Sequence, residues 1–312
     1  MDRDALASLA GELALALRDE VLPMCGRHEG RAHASGAAEG GGGDVTFAID
    51  ERAESFLERF LAERAPEVAF YSEDRGMVVG ERDPPWVLVV DPIDGTRPAM
   101  AGLESACVSV AGARLDSEPA MEDVEVASVV EIKSGAAFCA QRGGGLDPPP
   151  RLSANRDVAR MFWTYGLRGR PARPIAEVLG DLIDASSVGG ATFDLGSASY
   201  DMTRIATGQV DAYVEPGPRV VADVAGMREE FERVGGGAIL NNSPYDLAAA
   251  TLCLTEAGAQ VSDAYGKPLG SRPLLGSGPE FQISCVAAAN RELHRQICEA
   301  IESGIERLAQ RR

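Results

Sequence analysis

The chain has 312 residues, 45% of them hydrophobic, enough for one large α/β unit or two closely packed subdomains. Thirty basic residues against 48 acidic ones leave a net charge of −18, which argues against nucleic acid and anionic membranes as partners, because phosphate backbones repel such a surface. The same excess means that any anionic small molecule needs a local cation in order to bind.

The basic residues are nearly all arginine; Lys133 and Lys267 are the two lysines. Cysteines stand at 25, 107, 139, 253, 285 and 298, with no C-x-x-C pair and no metal-finger spacing. Cys107, Cys253 and Cys285 sit in apolar runs and read as small core residues, and the set fits a reducing cytoplasm best. The opening stretch is acidic and amphipathic, unlike a signal peptide, and no apolar run is long enough to span a bilayer.

In chain order, Leu6, Leu9, Leu13 and Leu17 mark one face of a first helix, from residue 3 to about residue 22. A Gly/Ala-rich stretch from Gly26 to Gly43 reads as a mobile loop. Its histidines, His28 and His33, have no carboxylate or thiol beside them to complete a metal set and read as solvated. A second helix covers Phe47 to about Ala65. Strands follow at Val68–Tyr71 and at Trp86–Val90, the latter a purely apolar run of the kind buried on both faces. Further strands are expected at Ala106–Ala111, Val124–Ile132 and Ala136–Ala140. The proline-rich segment Leu146–Leu152 suggests a boundary between an N-terminal half, 1–150, and a C-terminal half, 151–312. The second half reads as strand (Met161–Tyr165), helix (Ile175–Ala185), helix (Ser197–Thr207), strand (Val210–Val214), helix (Leu247–Ala257), strand (Phe281–Ala287) and a closing helix (Arg291–Leu308).

The strongest chemical signal is Asp91-Pro92-Ile93-Asp94-Gly95-Thr96, directly after the buried strand. A turn through Pro92 and Gly95 would aim both carboxylates into one small space. Two ionised carboxylates that close repel unless a cation lies between them, and Mg²⁺ prefers such hard oxygen ligands. The Gly95 and Thr96 amides could face a phosphate oxygen. The plain alternative is an ordinary Asp-Pro, Asp-Gly turn. Tyr71-Ser72-Glu73-Asp74 adds another acidic group at a strand end, where ligands gather in α/β proteins.

With these residues the sequence resembles the inositol monophosphatase family, among the lithium-sensitive, Mg²⁺-dependent sugar and inositol phosphatases. The resemblance rests on Asp44-Val45-Thr46 through Asp50, on Ser72-Glu73-Asp74, and on Trp86 running into Asp91–Thr96. It continues through Gly196-Ser197-Ala198, Asp211–Glu215, Tyr245-Asp246-Leu247-Ala248-Ala249, Glu256-Ala257-Gly258 and Gly266-Lys267-Pro268-Leu269. These segments span nearly the whole chain in order. The resemblance implies an α/β fold, the layered α-β-α-β-α sandwich of the inositol monophosphatase and fructose-1,6-bisphosphatase type, and a homodimer.

It also implies two or three Mg²⁺ ions. Glu73, Asp91 and the Ile93 carbonyl would hold one, Asp91, Asp94 and Asp246 a second, and a weaker third would sit near Glu73 on water ligands. The implied catalytic residues are Thr96, backed by Asp50, and Glu73. Asp94, Gly95, Thr96, Gly196, Ser197, Ala198 and Glu215 would contact the substrate, a small phosphorylated polyol and most readily an inositol monophosphate. Fructose-1,6-bisphosphatase or nucleotide 3′-phosphatase activity, or a non-catalytic metal- or phosphate-binding homologue, are the rivals. Read singly, Asp50 and Asp246 could merely serve helix N-termini, and Glu73 and Glu215 could be solvated.

The sequence departs from the family in places. The stretch Pro218–Pro244 is about twenty residues longer than usual, and it could be a lid, a partner surface or decoration. It contains Asp223, a rival to Asp246 as the last metal aspartate; Asp246 is preferred because Glu256-Ala257-Gly258 follows it at the family's distance. Arg97-Pro98-Ala99 replaces the usual residues after Thr96, and Tyr245 stands where tryptophan is usual.

Overall fold

The structure, a computed structural model, describes residues 1–27, 46–80, 83–115 and 118–311. The loop histidines His28 and His33, and Asp44-Val45 of the early motif, lie outside the described residues.

Two sheets and three layers of helix build the molecule. The first sheet has the order β2-β1-β3-β4-β5-β6-β7, with β1 Val68–Ser72, β2 Gly76–Val78, β3 Trp86–Asp94, β4 Cys107–Arg114, β5 Val124–Glu131, β6 Ala137–Gln141 and β7 Gly145–Asp147. Only the β1–β3 pairing is parallel. The second sheet has the order β11-β12-β10-β8-β9, with β8 Phe162–Tyr165, β9 Ala191–Phe193, β10 Ala212–Glu215, β11 Gln260–Ser262 and β12 Cys285–Ala288. There β8 runs parallel to both β9 and β10.

Helices α1 (Arg3–Val21) and α2 (Ala48–Arg64) cover the outer face of the first sheet. The leucines at 6, 9, 13 and 17 all point into that core, as their spacing predicts. Helices α5 (Ala198–Thr207) and α8 (Pro244–Glu256) fill the space between the sheets. Helices α4 (Ala172–Ser186) and α9 (Arg291–Gln310) close the far side. The result is the expected α-β-α-β-α sandwich.

The middle position explains two sequence features. Every residue of β3 is buried, because helices press on both faces of its sheet. Helix α8 is buried on nearly all sides, and Ala248, Ala249 and Ala250 let two sheets approach one helix. Glu256 ends that helix by accepting the Gly143 and Gly145 amides at 2.8 and 2.9 Å, so this acid of the family motif ties α8 to the β6–β7 hairpin.

The stretch longer than usual is ordered structure. It forms α6 (Gly217–Asp223) and α7 (Met227–Val234), which pack through Val220, Met227 and Phe231 into the outer core. The chain then returns through Ile239–Ser243 to the start of α8. The three-residue strand β2 has no counterpart among the expected elements; a partly exposed, three-residue edge strand offers too little alternation to be read.

Candidate active site

The sequence reading expects a turn after Val90. Instead β3 continues to Asp94, and the geometry comes from a bulge. Asp91 pairs with Ser109 of β4, and Asp94 pairs with Cys107, so three steps on β3 match two on β4. Residues three apart on a regular strand face opposite sides. The extra residue restores the phase and puts both aspartates on one side. Gly95 then turns the chain into α3 (Thr96–Ala101) with φ of 93°. A Cβ there would lie 2.7 Å from the Ser105 carbonyl oxygen and 2.9 Å from Ser197 Cβ, so both conformation and space demand glycine.

The third carboxylate arrives from α8. Ser243 caps that helix, and its amide donates to Asp246 Oδ2 at 2.6 Å. Asp246 thus serves its helix N-terminus, as the plain alternative holds, and also meets the strand aspartates. One oxygen from each of Asp91, Asp94 and Asp246 lies within 4.8 Å of the others, the one such trio among the described residues. Asp223 is elsewhere: its carboxylate accepts from Arg219 Nε at 3.1 Å and from the Tyr265 hydroxyl at 2.8 Å.

The electrostatics of this trio are unfavourable for protein alone. Burial, then the charges of Asp94, Asp246 and Glu73, holds Asp91 well above the usual carboxylate range. Burial pushes Asp94 up to about 6, against the opposing donors of the α5 N-terminus. Burial and the Asp94 charge push Asp246 up to about 7. Three crowded oxygen donors, each reluctant to ionise without help, fit a small hard dication. Glu73 is partly exposed at the end of β1, lines the same cavity and adds to the field on Asp91, outside the close trio.

Beside the trio, Thr96 Oγ1 donates to Asp50 Oδ1 at 2.9 Å and lies 3.2 Å from the Ile93 carbonyl oxygen. Asp50 Oδ2 meanwhile accepts the Phe47 amide at 2.9 Å, at the start of α2. The capping role and the contact with Thr96 therefore coexist in one carboxylate. The Ile93 amide donates to Asp91 Oδ1 at 3.0 Å and stiffens the bulge.

The Gly196-Ser197-Ala198 turn sits against this group. Gly196, with φ of 83°, leads into Ser197, which caps α5 by accepting from the Tyr200 amide at 3.2 Å. The Ser199 amide donates to Asp94 Oδ2 at 2.6 Å, and the Ala198 amide also serves Asp94. That turn is expected to hydrogen-bond substrate hydroxyls; of its amides, that of Ala198 serves Asp94, as does that of Ser199 just beyond it.

Glu215 is expected to contact the substrate; in the structure it is wholly buried, directly behind Gly166 of the cavity wall. Arg170 forms an ion pair with it, and the Gly217 amide donates to its Oε1 at 2.7 Å. What faces the cavity at this end is Arg170 itself, together with Arg168, Asp194, Asn241 and Asn242. Sequence reasoning does not single out these residues. The signal was present in Arg168-Gly169-Arg170, which follows β8, the parallel neighbour of β10, so its loop and Glu215 share one sheet edge. Asn241 and Asn242 show that the long segment supplies cavity wall as well as outer helices.

Residues 4–306 match the inositol monophosphatase family. The chain is 26% identical over 276 residues to an inositol-1-monophosphatase of Mesorhizobium japonicum, covering 84% of each chain. It is 27% identical over 276 residues to a fructose-1,6-bisphosphatase/inositol-1-monophosphatase of Methanothermobacter thermautotrophicus, covering 84% of this chain and 85% of that one. Among solved structures, the extragenic suppressor protein suhB from Bartonella henselae superposes with a TM-score of 0.70 at 20% identity, over 96% of this chain and 99% of that one, a likeness of fold. The match along nearly the whole chain and the trio of aspartates agree: this protein belongs to the inositol monophosphatase family, a family of phosphoric monoester hydrolases.

Proposed function

We propose that the chain hydrolyses a phosphomonoester of a small polyol, most readily an inositol monophosphate, with Mg²⁺ as cofactor. The observation that carries this is the convergence of Asp91, Asp94 and Asp246 beside the Thr96–Asp50 hydrogen bond. In this reading Glu73, Asp91, the Ile93 carbonyl, Asp94 and Asp246 hold two or three ions. Bound there, Mg²⁺ supplies charge neutralisation for the phosphoryl group, and with it an answer to the repulsion of a −18 protein.

The chain's own groups then have defined tasks. Thr96 Oγ1 accepts a proton from the attacking water while passing its own to Asp50 Oδ1, which lies 2.9 Å away. The Phe47 amide on Asp50 Oδ2 fixes the carboxylate so that Oδ1 faces the hydroxyl. Glu73, at the open side of the trio, orients water. Helix α5 holds Asp94 through the Ser199 and Ala198 amides, so the carboxylate does not rotate away from the trio.

Fructose-1,6-bisphosphatase activity is the second reading, favoured by the relative that bears both names. The proposal also includes a homodimer in a reducing cytoplasm. The six cysteines, all free thiols, support the second point; light scattering tests the first. The test of function is phosphate release from a panel of phosphomonoesters with and without Mg²⁺. Metal-dependent release that collapses in Asp94→Asn supports the reading, whereas undiminished turnover in that variant removes Asp94 from the mechanism.

A further inference from the structure

Arg170 carries an unusual burden. It is buried in the wall of the cavity, with 7% of its surface exposed, and a guanidinium has five N–H donors to satisfy. One Nη1 donor goes to the Arg168 carbonyl oxygen at 2.7 Å. The two on Nη2 serve the Glu215 carboxylate and Asn242 Oδ1, the latter at 3.3 Å. Nε is buried and has no partner. Arg170 thus lines the cavity with its Nε donor unmet and a second Nη1 hydrogen beyond the one given to Arg168, and an unmet buried donor marks a place where a ligand can complete the pairing after a small side-chain adjustment.

The group is held there deliberately. Asn242, from the long segment, accepts from Arg170 and donates to the Tyr213 hydroxyl at 2.6 Å, so its amide orientation is fixed. Gly166 leaves room for the guanidinium: a Cβ there would lie 3.3 Å from Arg170 Cζ and 2.9 Å from Glu215 Oε2. Charge decides what the free donors receive. Arg168 and Arg170 at this end are matched by Glu215 behind and Asp194 alongside, and Asp201 adds a further acid to the same cavity wall, so positive groups do not outnumber negative ones. A second phosphate would find no uncompensated positive charge here, whereas a hydroxyl oxygen needs only a donor.

We propose that Arg170, held in place by Glu215 and Asn242, is the specificity-determining residue for the non-phosphate part of the substrate, and that it selects hydroxyl oxygens of a monophosphate over a second anionic group. The inference rests on the phosphatase reading above. It makes Glu215 a positioning residue that acts through Arg170.

The experiment compares kcat/KM for myo-inositol 1-phosphate, fructose 1,6-bisphosphate and hydroxyl-free phenyl phosphate, all with Mg²⁺. The wild type is expected to prefer inositol phosphate to the bisphosphate. Arg170→Met should lose about 10- to 100-fold on inositol phosphate, the scale of a hydrogen bond from a charged donor, and about threefold or less on phenyl phosphate. Arg170→Lys, which keeps the charge but not the Nε donor, should show the same selective loss to a smaller degree, and it carries the test if the methionine variant does not fold. Adding Glu215→Gln to Arg170→Met should cost little more, whereas two independent contacts would multiply. Equal losses on inositol phosphate and phenyl phosphate, or a wild-type preference for the bisphosphate, would overturn the assignment. Failure of the wild type to release phosphate from any of the three is a different outcome, one that removes the phosphatase reading itself.

Discussion

The two ends of the cavity are built on different principles. At the metal end, acids are concentrated and left unpaired by basic side chains: Asp91, Asp94 and Asp246 crowd within 4.8 Å, and all three titrate above the usual range. At the other end, the two acids nearest Arg170 each meet a base, while Asp201 adds a buried acid without an ion pair among the described residues. Glu215 is covered by Arg170, and Asp194 lies in the field of Arg168 and Arg170. The first end is a charge problem that a dication could solve; at the second, arginines offset part of the acidic charge and offer directional hydrogen bonds. In the proposed reading, one scaffold thus separates the chemistry, which needs charge, from recognition, which needs shape and donors.

The sharpest way to break this contrast is Asp94→Asn. It should lower turnover by roughly three orders of magnitude or more, as loss of a metal-centred electrostatic contact does. Without metal the same variant should melt higher than the wild type, because one of the crowded charges is gone. A variant that melts lower in the absence of metal would mean that the trio is not strained by repulsion.

Thr96→Ala is the next largest effect. The scale of general-base assistance predicts a loss of about 100-fold in kcat, with the rise in Tm on adding Mg²⁺ retained, since the hydroxyl orients water and does not build the cage. A lost Mg²⁺ response would move Thr96 into the ligand set.

A third test probes a buried acid outside the cavity through stability. Glu54 is 2% exposed beneath β1; Ser72 donates to its Oε2 at 2.7 Å, and burial pushes it up to about 7 from an ordinary 4.5. Its folded-state pKa is raised, so its contribution is full below pH 4.5 and is lost as pH rises through 7. The loss approaches about 3 kcal/mol above pH 8. Glu54→Gln should therefore gain on the wild type in unfolding free energy as pH rises from 5 to 8. Parallel curves for the two proteins would contradict the assignment.

The smallest expected effect serves as control. Asp223→Asn should leave turnover and the Mg²⁺ response within about twofold, since that side chain is bound to Arg219 and Tyr265 on the outer surface.

The contrast also explains what could be read in the sequence. The acidic end is legible because its three aspartates come in short motifs after a buried strand and at a helix start, where residue type and local geometry go together. Asp91, Asp94 and Asp246 lie where these motifs place them. The bulge itself was not legible, because a strand register depends on the neighbouring β4. The other end is less legible. Glu215 stands out in the sequence, but its partner Arg170 is 45 positions away and meets it only through the parallel pairing of β8 with β10. In a chain where nearly every base is arginine, neither Arg168 nor Arg170 stands out. The long segment after Glu215 offered no local sign that its tail, at Asn241 and Asn242, would line the site.

The most direct measurement is a crystal soaked in Mn²⁺ as a stand-in for Mg²⁺, read by its anomalous signal. The account predicts a peak between Asp91, Asp94 and Asp246, at about 2.0–2.3 Å from their oxygens. A strong peak beside Asp223 with none at the trio would contradict it.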